Sequence, residues 1–260
     1  MDVRDAHVVI TGGSKGIGAA LARELAGRGA RLTLMARPSD ELEKTAADTG
    51  ATAVAVDLSD LESLEGLIGR VEQADGPVDI LVNNAAQVMG RHFGTQSADD
   101  VRRCMTTNLL APVELSRQVL PGMLERNKGT IANVSSVVGE LAVPHLACYS
   151  SSKAGLTMFS MDLQRDVKRS DVTVTAFVLG AVPGTQNYAD ATKNEVIQAL
   201  ASRIEKWAKL TPENVAQRIA DTLADDRRRG IVVIPRSGAP VVRWRQLPVK
   251  LGDLVFNSAS

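Results

Sequence analysis

The architecture of this chain turns on His7-Val-Val-Ile-Thr-Gly-Gly-Ser-Lys-Gly-Ile-Gly18. His7 to Thr11 is a short apolar run, rich in β-branched residues, of the kind that forms a buried strand. A glycine-rich turn follows, and from about Ile17 to Arg28 the pattern is helical. Between a first strand and a first helix, glycines have a mechanical use. Missing side chains let the backbone come close to a pyrophosphate, and the free N–H groups and macrodipole of the opening helix favour its negative charge. Three residues separate Gly12 from Gly16, so the spacing departs from the commoner G-x-G-x-x-G turn.

Outward from this stretch, short β-rich runs alternate with longer helical patterns. Strands are expected at Arg31 to Ala36, Ala51 to Val56, Asp79 to Val82, Thr130 to Val134, Val172 to Val178 and Gly230 to Ile234. Helices are expected over Asp60 to Ala74, Ala98 to Arg126 and Leu146 to Arg169. Such alternation predicts a parallel sheet of seven strands with helices on both faces. No repeat or low-complexity segment interrupts it, so one domain over residues 1–260 is the simplest expectation.

Composition narrows the function classes. Hydrophobic residues make up 44% and charged residues 23% of the 260, enough for a sizeable core. Lys+Arg and Asp+Glu are equal at 30 each, which argues against a broad nucleic-acid surface. Aromatic residues, at 3%, are too sparse for single-strand stacking platforms. Cys104 and Cys148 make neither a disulfide framework nor a metal knuckle, and no histidine or carboxylate constellation suggests a metal. The N-terminus lacks a signal-peptide pattern and no apolar run approaches about 20 residues. A reducing, cytoplasmic compartment is the resulting expectation.

A second stretch, Ala147-Cys-Tyr-Ser-Ser-Ser-Lys153-Ala-Gly155, carries the chemistry. On a helix, Tyr149 and Lys153 share a face, and their polar ends can converge on one small molecule. A nearby ammonium favours the ionised phenol, so Lys153 is expected to lower the pKa of Tyr149 and make it a usable general acid or base. Taken alone, the pair is also what an ordinary surface helix would show.

Together, Gly12-x-x-x-Gly16-x-Gly18, Asn83-Asn-Ala-Ala86, Ser136 and Tyr149-x-x-x-Lys153 resemble the single-domain short-chain dehydrogenase/reductase family. Their order and spacing match it through about Pro235. The resemblance implies a Rossmann-type three-layer α/β/α fold. It also implies an oxidoreductase that interconverts a ketone or aldehyde and an alcohol with a nicotinamide cofactor. Asn108, Ser136, Tyr149 and Lys153 match the family's catalytic positions: Tyr149 as proton donor, Ser136 holding the carbonyl oxygen, Lys153 holding the nicotinamide ribose and acting on the tyrosine, and Asn108 supporting a water chain. Gly12, Ser14, Lys15, Gly16, Ile17 and Gly18 match the phosphate turn. Asp57 and Leu58 match the adenine contacts. Asn84, Ala85 and Ala86, with Asn83 before them, match the stretch passing under the cofactor. After the second strand the family's NAD-type members carry an acidic residue; here Arg37 stands, with Lys15 near it. Both can pair with a 2′-phosphate, and a guanidinium suits its bidentate geometry. NADP(H) is therefore the expected cofactor, with NAD(H) second. The alternative is two solvated surface charges.

The pattern also departs from the family. Leu179 replaces a proline after the sixth strand, so carboxamide contacts from Gly180, Val182 and Thr185 are less firmly marked. Residues from Pro183 to about 209 should form the substrate lid. An extension over about 236–260 contains Trp244 between two arginines and Leu247, Leu251, Leu254 and Val255 on one face of a helix opened by Pro248. Packing on its own domain or on a dimer partner is the favoured reading. A hydrophobic rim beside a lipid-like substrate comes next, and membrane-surface contact last. By analogy, this extension and Met35-Ala-Arg37 are similar to reductases of long-chain 3-keto carbonyls. The family also implies a homodimer or homotetramer. His92 and His145 are candidate pocket residues or, more simply, structural ones. Cys148 reads as packing. The competing reading of the whole chain is a nucleotide-binding sensor with little or no catalysis. An isomerase or lyase is a third, which no residue favours.

Overall fold

The protein is described from a computed structural model, over residues 2–205, 210–225, 230–240 and 242. Strands β1 (His7–Thr11), β2 (Arg31–Ala36), β3 (Thr52–Ala55), β4 (Ile80–Asn83), β5 (Gly129–Ser136), β6 (Val172–Leu179) and β7 (Gly230–Ile234) pair in parallel in the order β3-β2-β1-β4-β5-β6-β7. The central strands are buried at nearly every position because both faces are covered. Val8, Ile10, Leu34 and Val82 turn to one face, against Leu21 and Leu25 of α1 (Gly16–Gly27), Leu42 of α2 (Asp40–Thr49) and Ile219 of α9 (Pro212–Ala224). Val9, Met35, Leu81 and Ile131 turn to the other, against Ile68 of α3 (Leu67–Asp75) and Leu115 and Val119 of α5 (Ala111–Glu125). Each fully buried Leu or Ile contributes about 1.5–3 kcal/mol, which makes this sandwich the dominant stabilising feature.

From β1 the chain runs outward to β3, then returns to β4 on the other side of β1. The carboxyl ends of β1 and β4 therefore open a crevice where the winding reverses, the usual ligand position in such sheets. The expected three-layer α/β/α architecture is the one observed.

Several boundaries differ from expectation. The helix expected over Asp60 to Ala74 is broken: a 3₁₀ turn at Glu62–Leu64 leads to Gly66, at φ +63°, and α3 starts only at Leu67. β3 ends at Ala55 and β5 continues to Ser136, which is thus a strand residue rather than one that follows the strand. Three helical regions were not anticipated. Ser39 caps α2, its Oγ accepting from Leu42 N at 3.3 Å, and Gly50 ends it at φ +64°. The lid region holds α7 (Gln186–Thr192) and α8 (Glu195–Glu205). A Thr211–Asn214 capping box with Pro212 at the first turn opens α9. The long helix divides into α4 (Ala98–Met105) and α5, joined by a π-helical turn at Thr106–Leu110. α6 (Ala147–Asp166) carries the Tyr-Lys pair. Residues 206–209 of the lid and the expected C-terminal helix with Trp244 and Pro248 lie outside the described residues. Among the described residues no helix is long and apolar enough to cross a membrane, and no group of three or more metal-binding side chains occurs.

Candidate active site

The glycine turn is shaped by close approach. Gly12 has φ +67°, and a Cβ there would lie 2.9 Å from Ala85 Cα. A Cβ on Gly18 would lie 2.1 Å from Gly12 O, so no side chain fits without moving the turn. Gly16, at φ +55°, faces Thr185, whose Cγ2 would be 3.4 Å from such a Cβ. The turn is braced from β4. Thr11 Oγ1 accepts from the N–H groups of Asn84 and Ala85, both at 3.0 Å, while Asn84 Nδ2 donates to Thr11 O at 2.9 Å. Asn83 faces inward instead: its Nδ2 donates to Asn133 Oδ1 at 2.8 Å. It is 1% exposed and pins β4 to β5.

One cleft of about 1150 Å³ runs across the switch point. Gly12, Ser14, Lys15, Gly16 and Ile17 line it at the turn; Arg37, Asp57 and Leu58 beyond β2 and β3; Asn84, Ala85 and Ala86 after β4. Ser136, Tyr149, Lys153, Gly180, Val182 and Thr185 line it on the far side. Of the residues matched to the glycine turn, the cofactor floor and the catalytic positions, Gly18, Asn83 and Asn108 do not line it; Gly18 lies behind the turn, and Asn83 and Asn108 are buried.

The ends of the cleft differ in charge chemistry. Lys15 Nζ pairs with Glu41 Oε1 at 2.8 Å, both side chains half exposed. Burial would raise Asp57, but the N–H and hydroxyl of Ser59 and the charges of Arg103 and Arg37 hold it below the usual carboxylate range. At the other end, Lys153 is 1% exposed and its Nζ donates to Val134 O at 2.8 Å. Burial pushes this ammonium down to about 8. Burial also pushes the Tyr149 phenol up to about 12, with a hydrogen bond to Ser136 pulling it partly back. This corrects the expectation that Lys153 lowers Tyr149. The Lys153 ammonium lies 5.9 Å from the centre of the tyrosine ring and gives its close contact to a carbonyl, so desolvation of the phenol dominates.

Asn108 sits in the π-helical turn, which rotates it into the interior; such turns concentrate at functional sites. Its Oδ1 accepts from Gln87 N at 2.7 Å and its Nδ2 donates to Gln87 O at 2.9 Å and Ser152 Oγ at 3.1 Å. Ser152 Oγ in turn donates to Tyr149 O at 2.7 Å. Asn108 therefore locks the loop after β4 to the helix bearing Tyr149.

Over residues 6–196 the sequence matches the short chain dehydrogenase family. The chain belongs to that family. It is 30% identical over 230 residues to the ketoacyl reductase HetN of a Nostoc species, covering 86% of this chain and 77% of that one. It is 35% identical over 226 residues to a 3-ketodihydrosphingosine reductase of Mus musculus, covering 82% and 67%. Among solved structures, a metagenomic short-chain oxidoreductase in complex with NADP superposes with a TM-score of 0.74 at 28% identity, over 90% of this chain and 98% of that one.

Within this short-chain dehydrogenase, several site residues escaped the sequence reading. Thr11 reads from the sequence as the last strand residue opening the glycine turn; its bracing of Asn84 and Ala85 comes only from the structure. Gln87 acts through its backbone, which no side-chain pattern can reveal. Ser152 lay in plain view between Tyr149 and Lys153. The wall beside Tyr149 is apolar: Val88, Leu146 and Ile197 cluster with Val138, Val143 and Ala191. Ile197 and Ala191 come from α8 and α7, so the lid completes this wall. The His92 and His145 rings lie 6.0 Å apart between centres, tilted 59° to one another, and neither lines the cleft. Cys148 is buried, its Sγ 3.7 Å from Val101 O, as a packing residue would be.

Proposed function

We propose that the chain is an NADP(H)-dependent reductase interconverting a ketone or aldehyde and an alcohol, acting on an apolar, lipid-like carbonyl. The observation that carries this reading is the convergence of Ser136, Tyr149 and Lys153 at one end of a cleft whose other end is the glycine turn. The residues fit a dinucleotide: side chains at Gly12 and Gly18 would collide with the turn's braces, and a buried ammonium faces the opposite end. The backbone from Gly12 to Ile17 holds the pyrophosphate, with Gly18 permitting the helix to start there. Lys15 and Arg37 take the 2′-phosphate, Asp57 and Leu58 the adenine. Asn84, Ala85 and Ala86 form the floor, and Gly180, Val182 and Thr185 meet the carboxamide.

When bound, the nicotinamide supplies the hydride to the carbonyl carbon in reduction. Ser136 Oγ donates a hydrogen bond to the carbonyl oxygen, and Tyr149 delivers its proton there. A phenol at about 12 is protonated at neutral pH, the form that reduction requires. Lys153, at about 8, exchanges protons near neutrality and can reload the site. The apolar wall and the two keto-reducing relatives support a hydrophobic chain on the substrate. A homodimer or homotetramer through the α4–α6 surfaces belongs to the same reading; Leu110 and Met158 expose 43% and 46% of their surface there.

The test is NADPH consumption against ketones of increasing chain length, with Tyr149→Phe beside the wild type. Turnover that rises with chain length and falls about 10²–10⁴-fold in the variant is expected. Tight NADPH binding without turnover on any ketone would favour the sensor reading instead.

A further inference from the structure

The two cations assigned to the 2′-phosphate do not present themselves equally. Arg37 is exposed at the cleft, where its charge is felt by Asp57, and among the described residues no ion pair or hydrogen bond holds its side chain. Lys15 is held: its Nζ lies 2.8 Å from Glu41 Oε1. Glu41 stands in the first turn of α2, two residues after Ser39, which lines the cleft and caps that helix. The hydrogen bond from Lys15 is the main reason its carboxyl sits below the usual range. Asp40 and Glu43 share the turn, so this rim is negative where an incoming dianion would arrive.

We propose that Glu41 is a specificity-determining residue, an internal anion that occupies Lys15 and weakens the preference for NADP(H) over NAD(H). The inference rests on the assignment of Lys15 and Arg37 to the 2′-phosphate. A cofactor bearing that phosphate must draw Lys15 away from Glu41 and lie beside a carboxylate that repels it. A cofactor with a free 2′-hydroxyl needs neither. Both partners are half exposed, so the pair opens readily. Glu41 therefore tempers selectivity without abolishing it, and the chain retains measurable NAD(H) binding.

The experiment titrates wild type, Glu41→Gln, Glu43→Gln and Lys15→Ala with NADPH and with NADH at fixed ionic strength, reading nicotinamide fluorescence. Glu41→Gln should tighten NADPH binding roughly threefold to tenfold and leave NADH within about twofold, an effect of the size expected when an exposed competing charge is removed. Glu43→Gln makes the same change in net charge one turn-face away, without an ion pair to Lys15, and should move NADPH by less than about twofold. Lys15→Ala should weaken NADPH and spare NADH. The inference is overturned if Glu41→Gln leaves NADPH binding unchanged, or if Glu43→Gln tightens it equally. If Lys15→Ala leaves NADPH binding intact, the 2′-phosphate assignment falls and takes the inference with it. A Lys15-sensitive, Glu41-insensitive protein sinks the inference alone.

Discussion

Replacing Lys153 by Met isolates the cost of burying an ammonium beside the reacting end. The side chain is 1% exposed, with one short hydrogen bond to Val134 O. Burial moves its titration from 10.5 to about 8. Below pH 8 the folded and unfolded chains both hold the proton. Between about 8 and 10.5 the unfolded chain keeps it while the folded chain has released it, so stability rises with pH through that window. The span of about 2.5 units corresponds to about 3 kcal/mol at 1.36 kcal/mol per unit. Methionine fills much of the same volume without charge, so the variant lacks this rise. The lost hydrogen bond and altered packing add an offset that does not depend on pH. Urea unfolding of both ligand-free proteins from pH 7 to pH 10 gives the difference in stability. The wild type should gain about 2–3 kcal/mol on the variant across that range. Tyr149, pushed up to about 12, acts in the opposite direction: the unfolded chain ionises first, and stability falls, but only above about pH 10. A stability difference flat in pH would refute the claim that burial governs Lys153.

Three further outcomes follow from the geometry. Gly18→Ala puts a methyl 2.1 Å from Gly12 O, so it should abolish cofactor binding in a fluorescence titration and cost about 1–3 kcal/mol in urea unfolding. Asn108→Ala leaves Gln87 N without its partner and takes one partner each from Gln87 O and the Ser152 hydroxyl; it should lower kcat more than it raises KM for cofactor and cost about 1–3 kcal/mol of stability. Arg37→Ala should weaken NADPH about tenfold with NADH spared, and equal loss of both cofactors in a binding titration would contradict its role.

The switch-point cleft was legible because its signals are local. A strand, a glycine turn and a helix read in sequence place the phosphate end, and four-residue spacing on a helix places Tyr149 over Lys153. What escaped was non-local. Gly66 looks like one residue of a helical run until its left-handed backbone is seen to divide it. α2 is half charged, with a buried apolar face reduced to Leu42 and Ala46, and its start depends on the Ser39 cap. The π-helical turn has no motif of its own, yet it is what buries Asn108. The direction of the Tyr149 shift was misjudged because spacing reveals a neighbouring charge but not the depth of burial that outweighs it. Glu41 escaped for a related reason: its partner Lys15 is 26 residues away in sequence and belongs to a different turn.

The central claim is that hydride arrives at a carbonyl carbon while Tyr149 supplies the proton. It is tested most directly by reducing a long-chain 3-keto ester with NADPH deuterated at C4, on each face in turn, and weighing the alcohol formed. The account predicts one deuterium in the product with one of the two labelled cofactors and almost no alcohol from Tyr149→Phe. Alcohol without label from either cofactor, or undiminished formation by the variant, would contradict it.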